Sequence, residues 1–119
     1  MGDFARPESL RAALGRADRA FLLSPSGPDQ AGLETAFVDA ARDAGVRHIV
    51  KLSVLGVDAA SPCRLIRSHA RVEAAIDASD LPYTFVRPNS FMQNPRSNAD
   101  SIASEGVFYL PPLVRASVM

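Results

Sequence analysis

Few side chains in this sequence are placed to do chemistry. Lys51 and Ser53 sit two apart in the run HIVKLSV. In an extended segment that spacing puts both on one face. Ser53 reads as a strand-end hydroxyl bonded to backbone, and Lys51 as a structural or surface residue. His69 shares helical spacing with Leu65, Val72 and Ile76. On such an apolar stripe it reads first as a core-facing histidine. Arg64, Arg67 and Arg71 share another helix face and read as a solvated surface. Cys63 is the one cysteine and there are two distant histidines, so neither an internal disulfide nor a metal site is expected.

These residues need elements to hold them. The pattern predicts a helix from Pro7 to Leu14 with Gly15 at its end, then a strand over 19–24 (RAFLLS). A helix over 29–44 follows, with Leu33, Ala36, Phe37, Ala40, Ala41 and Ala44 on its inner face and Gly45 as its stop. A second strand is predicted over 48–54. A helix then opens at Ser61-Pro62, and a third strand runs over 83–87 until Pro88. Residues 107–110 suggest one more short strand before Pro111-Pro112. Alternating strands and helices imply parallel strands with right-handed crossovers, so the fold class is α/β. Ligands in such sheets bind beyond the carboxyl ends of the strands. That selects three loops, 24–28, 53–58 and 88–94.

At 119 residues the chain is long enough for one core. With 13 basic and 13 acidic residues, the net charge argues against phosphate-driven nucleic-acid binding. No apolar run approaches the ~20 residues of a membrane helix. MGDFARPESL lacks the basic start and apolar stretch of a secretory signal. A reducing cytoplasm is the expected location.

The loops carry an ordered set of short motifs. They are Gly2-Asp3-Phe4 before Pro-Glu-Ser-Leu, then Phe21-Leu22-Leu23-Ser24-Pro25, then residues 44–53 (AGVRHIVKLS). His69-Ala70-Arg71-Val72-Glu73, residues 81–88 (LPYTFVRP) and Phe91-Met92-Gln93-Asn94 complete it. Together they resemble the NmrA-like family of atypical short-chain dehydrogenase/reductases, over nearly the whole chain. The resemblance implies a Rossmann-like, three-layer, mostly parallel sheet that binds NADP or NAD. It also implies an incomplete one. The family's first two strands and glycine-rich turn have no counterpart here, and the chain is expected to be truncated at both ends. The strand over 19–24 would then be an exposed edge, with self-association as its consequence.

The resemblance also implies a site. Asp3 and Phe4 would meet adenine; Leu23, Ser24 and Pro25 would line the ribose and diphosphate. Ser53 takes the place of a serine whose hydroxyl polarises a substrate carbonyl. His69 takes the position of a ribose-holding lysine, and Leu65 that of a proton-donating tyrosine. His69 is thus a core residue, a ribose ligand or, least of all, an acid. Pro88, Asn89, Ser90 and Phe91 would pass the nicotinamide, with Met92 and Asn94 toward a small-molecule substrate. Three functions stay open: an NAD(P)H-dependent oxidoreductase of quinone-like or other small acceptors, a non-catalytic nicotinamide sensor, and an inactive fragment with weak dinucleotide binding.

Overall fold

A computed structural model describes residues 2–109. It divides into two compact units, residues 1–88 and 89–119. The first unit orders its elements as α1 (Pro7–Leu14), β1 (Arg19–Leu22), α2 (Gln30–Asp43), β2 (His48–Leu52), α3 (Arg64–Asp77) and β3 (Tyr83–Val86). The three strands form one parallel sheet with β2 in the centre. Ala20 stands opposite Ile49 and Leu22 opposite Lys51, while Lys51 faces Phe85 on its other side. The predicted α/β class and the parallel pairing are both present.

Helices α1, α2 and α3 pack in series against one face of this sheet. Leu10 and Leu14 of α1, Leu22 of β1, Val38 and Ala41 of α2, Ile49 of β2, and Val72 and Ile76 of α3 make the core. The opposite face alternates out of it. Phe21 and Leu23 are more than half exposed, and Val50 and Leu52 are half-buried. Within this unit the described helices therefore make one layer, where a three-layer sheet would have helices on both faces.

Local chemistry explains the boundaries. Pro7 opens α1, where its missing N–H costs nothing. Helix α2 closes in a Schellman turn: the Val46 N–H bonds the Ala41 carbonyl, and the Gly45 N–H bonds that of Arg42. Gly45 has φ +77°, a conformation glycine adopts without strain. Val46 is buried beside the turn.

Several expectations are corrected. Helix α3 starts at Arg64 with Cys63 as N-cap, not at Pro62. Leu65 is 39% exposed, and the buried face of α3 is Ser68, His69, Val72, Glu73 and Ile76. The face of α2 is rotated as well. Gln30, Ala31 and Glu34 are buried with Phe37, Val38, Ala40 and Ala41, whereas Leu33 is half-buried. Glu34 is drawn into this face by its bonds to Ser24 and Lys51.

The second unit holds a short 3₁₀ turn (Asn94–Asn98) and α4 (Ala99–Glu105), closed by Gly106 at φ +69°. Residues 107–109 form no strand. The Val107 N–H bonds the Ser101 carbonyl, and the Tyr109 N–H bonds Asn98 Oδ1, so their backbone folds back on α4. Leu110, Pro111-Pro112 and the last residues lie outside the described ones.

Candidate functional site

The carboxyl ends of β1 and β2 are where the two crossover helices begin, and polar side chains collect under them. Ser24 Oγ donates to Glu34 Oε1 at 2.8 Å. Lys51 Nζ donates to the same oxygen at 3.0 Å and stands 2.8 Å from Glu34 Oε2. It also donates to the Leu52 carbonyl at 2.6 Å. Both Lys51 and Glu34 are 0% exposed. Lys51 is thus structural and not a surface residue. Its charge is tolerable in the interior because the carboxylate and the carbonyl together replace water.

Beyond Lys51 the central strand continues as an extended segment. The Ser53 N–H bonds the Val86 carbonyl at 2.7 Å, and the Leu55 N–H bonds that of Pro88 at 2.8 Å. The loops after β2 and β3 are therefore stitched together, and Ser53 is held in place. On α3, Glu73 accepts two bonds from Arg87, at 3.0 and 2.6 Å. Arg87 also lies 5.5 Å from the Phe85 ring centroid. Burial alone would raise the Glu73 pKa. The Arg87 fork outweighs it and, with help from the Ser53 hydroxyl, holds the carboxylate below its ordinary value.

Three buried atoms in this region have no hydrogen-bond partner: Glu34 Oε2, whose charge Lys51 Nζ balances at 2.8 Å, Ser53 Oγ and His69 Nδ1. Ser53 is in reach of the Glu73 charge, yet its hydroxyl makes no bond of good geometry. Ser53 and His69 are buried, at 3% and 6% exposure. Burial lowers the His69 pKa and the Lys51 charge lowers it further, against weaker opposing pulls from Glu34 and Glu73. The ring is therefore neutral at neutral pH, with one nitrogen donating and one accepting. Orphaned buried polar groups cost about 1–3 kcal/mol each and call for a partner.

The other expected site residues are distributed as follows. Leu23 is exposed on the bare face of the sheet, and Pro25 is exposed beyond Ser24. The hydroxyl of Ser24 is committed to Glu34. Asp3 accepts from the Ala5 N–H at 2.9 Å and from Arg6 Nε at 3.3 Å, in a local turn before α1. Phe4 stacks on Phe37 with centroids 5.4 Å apart, a packing role. Pro88 ends the first unit. Asn89, Ser90 and Phe91 open the second, where Ser90 Oγ accepts from Asn94 Nδ2 at 3.0 Å and Phe91 is half exposed. So the structure groups Ser24, Ser53 and His69 around the Glu34–Lys51 pair, and Asp3 and Phe4 have their partners elsewhere. Glu34, Glu73 and Arg87 were missed by the sequence reading. The signal for Glu34 was its spacing, i+4 from Gln30 and i+3 before Phe37 on the buried face.

The chain matches the NAD(P)H-binding family over residues 1–118. It belongs to that family. Membership sets the cofactor class as a nicotinamide dinucleotide, NADP or NAD. Among curated proteins, the chain is 37% identical over 110 residues to an NAD(P)H azoreductase of Xenophilus azovorans, covering 92% of this chain and 38% of that one. It is 42% identical over 104 residues to a (4-alkanoyl-5-oxo-2,5-dihydrofuran-3-yl)methyl phosphate reductase of Streptomyces griseus, covering 82% of this chain and 36% of that one. Among solved structures it superposes on an NADPH-dependent quinone oxidoreductase of Escherichia coli, complexed with NADPH, with a TM-score of 0.82. Identity there is 28%, covering 91% of this chain and 38% of the other. The chain thus spans less than two fifths of each relative.

The residues present fit part of such a cofactor. A ribose or a carboxamide offers donors and acceptors together, which is the complement of a serine hydroxyl and a neutral imidazole left without partners. Ser53 stands just past the carboxyl end of β2, where Rossmann-type folds hold their ligands, and His69 on α3 feels the Lys51 and Glu34 charges. No helix among the described residues is long and apolar enough to cross a membrane.

Proposed function

We propose that this chain is part of the NAD(P)-binding domain of an NmrA-like, NAD(P)H-dependent oxidoreductase that reduces quinones, azo compounds or similar small planar acceptors. The observation that carries the reading is that two buried polar atoms, Ser53 Oγ just past the central strand and His69 Nδ1 on α3, have no hydrogen-bond partner. The bound cofactor supplies hydride. The protein's part is to hold the ribose and carboxamide through His69 and Ser53, and to keep those groups rigid through the Glu34–Lys51 pair and the Glu73–Arg87 fork. Ser24 and Pro25 contribute backbone, because the Ser24 hydroxyl is already taken. Leu65 offers no proton. A quinone suits this, since it accepts hydride readily and takes its proton from water. The names of the azoreductase and quinone oxidoreductase relatives support the same acceptor class.

The test is oxidation of reduced nicotinamide with a benzoquinone or an azo dye, using protein from the full open reading frame. Turnover above the protein-free rate is expected. Leucine in the proton-donor position favours one other reading, a nicotinamide sensor in the cytoplasm. Dinucleotide binding without turnover on any acceptor would select it.

A further inference from the structure

Helix α3 presents a second polar surface, turned away from the sheet-facing His69, Val72 and Ile76. Arg64, Arg67, Ser68 and Arg71 follow one another at i, i+3, i+4 and i+7, and together they line a cleft of about 230 Å³. Its far wall is Pro28 and Ala31, the entrance to α2, with Ala59 at the rim. No acidic side chain lines it. Arg67 is fixed by donating Nη1 to the Ser61 carbonyl at 2.6 Å. Among the described residues, none of the three arginines pairs with a carboxylate. In a chain with zero formal net charge, this is a local concentration of three uncompensated cations.

Two further observations point to a ligand. Asp29 occupies the N-cap of α2 but its side chain makes no capping bond. The Gln30 and Leu33 N–H groups have backbone partners, which leaves those of Ala31 and Gly32 open at the positive end of the helix. Ser68 is only 8% exposed and lines the cleft. Guanidinium forks, a hydroxyl and helix N-terminal amides are together the donor set that holds a tetrahedral oxyanion.

We infer that the cleft between the N-terminus of α2 and the arginine face of α3 binds a phosphate monoester group. Binding of free phosphate goes beyond the dinucleotide reading and can fail alone, whereas a cofactor source rests on that reading. The group has two sources: free phosphate, or the ribose phosphate that distinguishes NADP from NAD.

The test is an amide NMR titration of the labelled chain with inorganic phosphate, against chloride at matched ionic strength. Saturable movement of Ala31, Gly32 and Ser68 is expected with phosphate alone. The exposed double variant Arg64→Glu, Arg71→Glu should weaken it at least tenfold, and Ser68→Ala several-fold. Arg16→Glu, on a different surface, should leave it unchanged. The unaltered remainder of each spectrum checks the fold. A parallel titration separates the sources: NADP but not NAD moving the same amides assigns the group to the cofactor. Non-saturating shifts, equal shifts with chloride, or undiminished affinity in the double variant would overturn the proposal. So would saturation only at Ser24, Ser53 and His69.

Discussion

Glu34 and Lys51 lie 2.8 Å apart with neither side chain exposed, so each is the other's solvent. Removing one leaves an unpaired buried charge. Glu34→Gln or Lys51→Met alone should cost about 3–5 kcal/mol in denaturant unfolding, whereas Glu34→Leu with Lys51→Met should recover much of it. Single variants as stable as the parent would show that the pair contributes little. His69 gives a pH dependence. Its folded pKa lies below the ordinary 6.5, so between those values the unfolded chain holds the extra proton. Stability should fall as pH drops below about 6.5 and the loss be complete below the folded pKa. Glu73, held below 4.5, adds a second loss at lower pH. Stability followed against pH in the parent and in His69→Asn checks this: the variant should lack the first step. At this scale the sequence was only partly legible. Lys51 and Ser53 were placed on one face by their spacing. The burial of that face followed from Glu34, whose charge argued for solvent until its partner was known.

At the scale of elements, the boundaries that were legible are those set by one residue's backbone. Pro7 opened α1 and Gly45 closed α2 where their chemistry requires. Gly45→Ala meets no neighbour within 4 Å, so its cost is the positive φ alone. It should destabilise by roughly 1–2 kcal/mol in thermal or chemical unfolding. A neutral result would mean the Schellman turn rearranges freely. The start of α3 was misplaced because Pro62 resembles a first-turn proline, while the helix begins two residues on, after Cys63. Of the strand predicted over 107–110, residues 107–109 form none, for a related reason. An apolar run is compatible with extension, but Ser101 and Asn98 capture its backbone groups first. The loops after β2 and β3 extend the pairing to Leu55 and Pro88, so the site rests on sheet-like backbone.

For the molecule as a whole, the sheet of the first unit has helices on one face and apolar side chains on the other. Phe21, on the edge strand β1, and Leu23, just past its end, are 60% and 53% exposed. Surfaces of this kind drive association. The isolated chain should self-associate with rising concentration, and Phe21→Ser with Leu23→Ser should reduce that in light scattering. A monomer at all concentrations would contradict it. The α/β class, the parallel order and membership of an NAD(P)H-binding family were legible because they depend on alternation and motif order, which survive errors of a residue or two. The partnerless atoms were not, since orphanhood is a property of packed neighbours. The central claim is that Ser53 and His69 await a nicotinamide dinucleotide. Its most direct test is NADPH affinity, followed by the cofactor's fluorescence, in the parent and in Ser53→Ala. The parent should bind. The variant should bind roughly 3–10-fold more weakly, the worth of one hydrogen bond. Equal affinity in the two proteins would contradict the account.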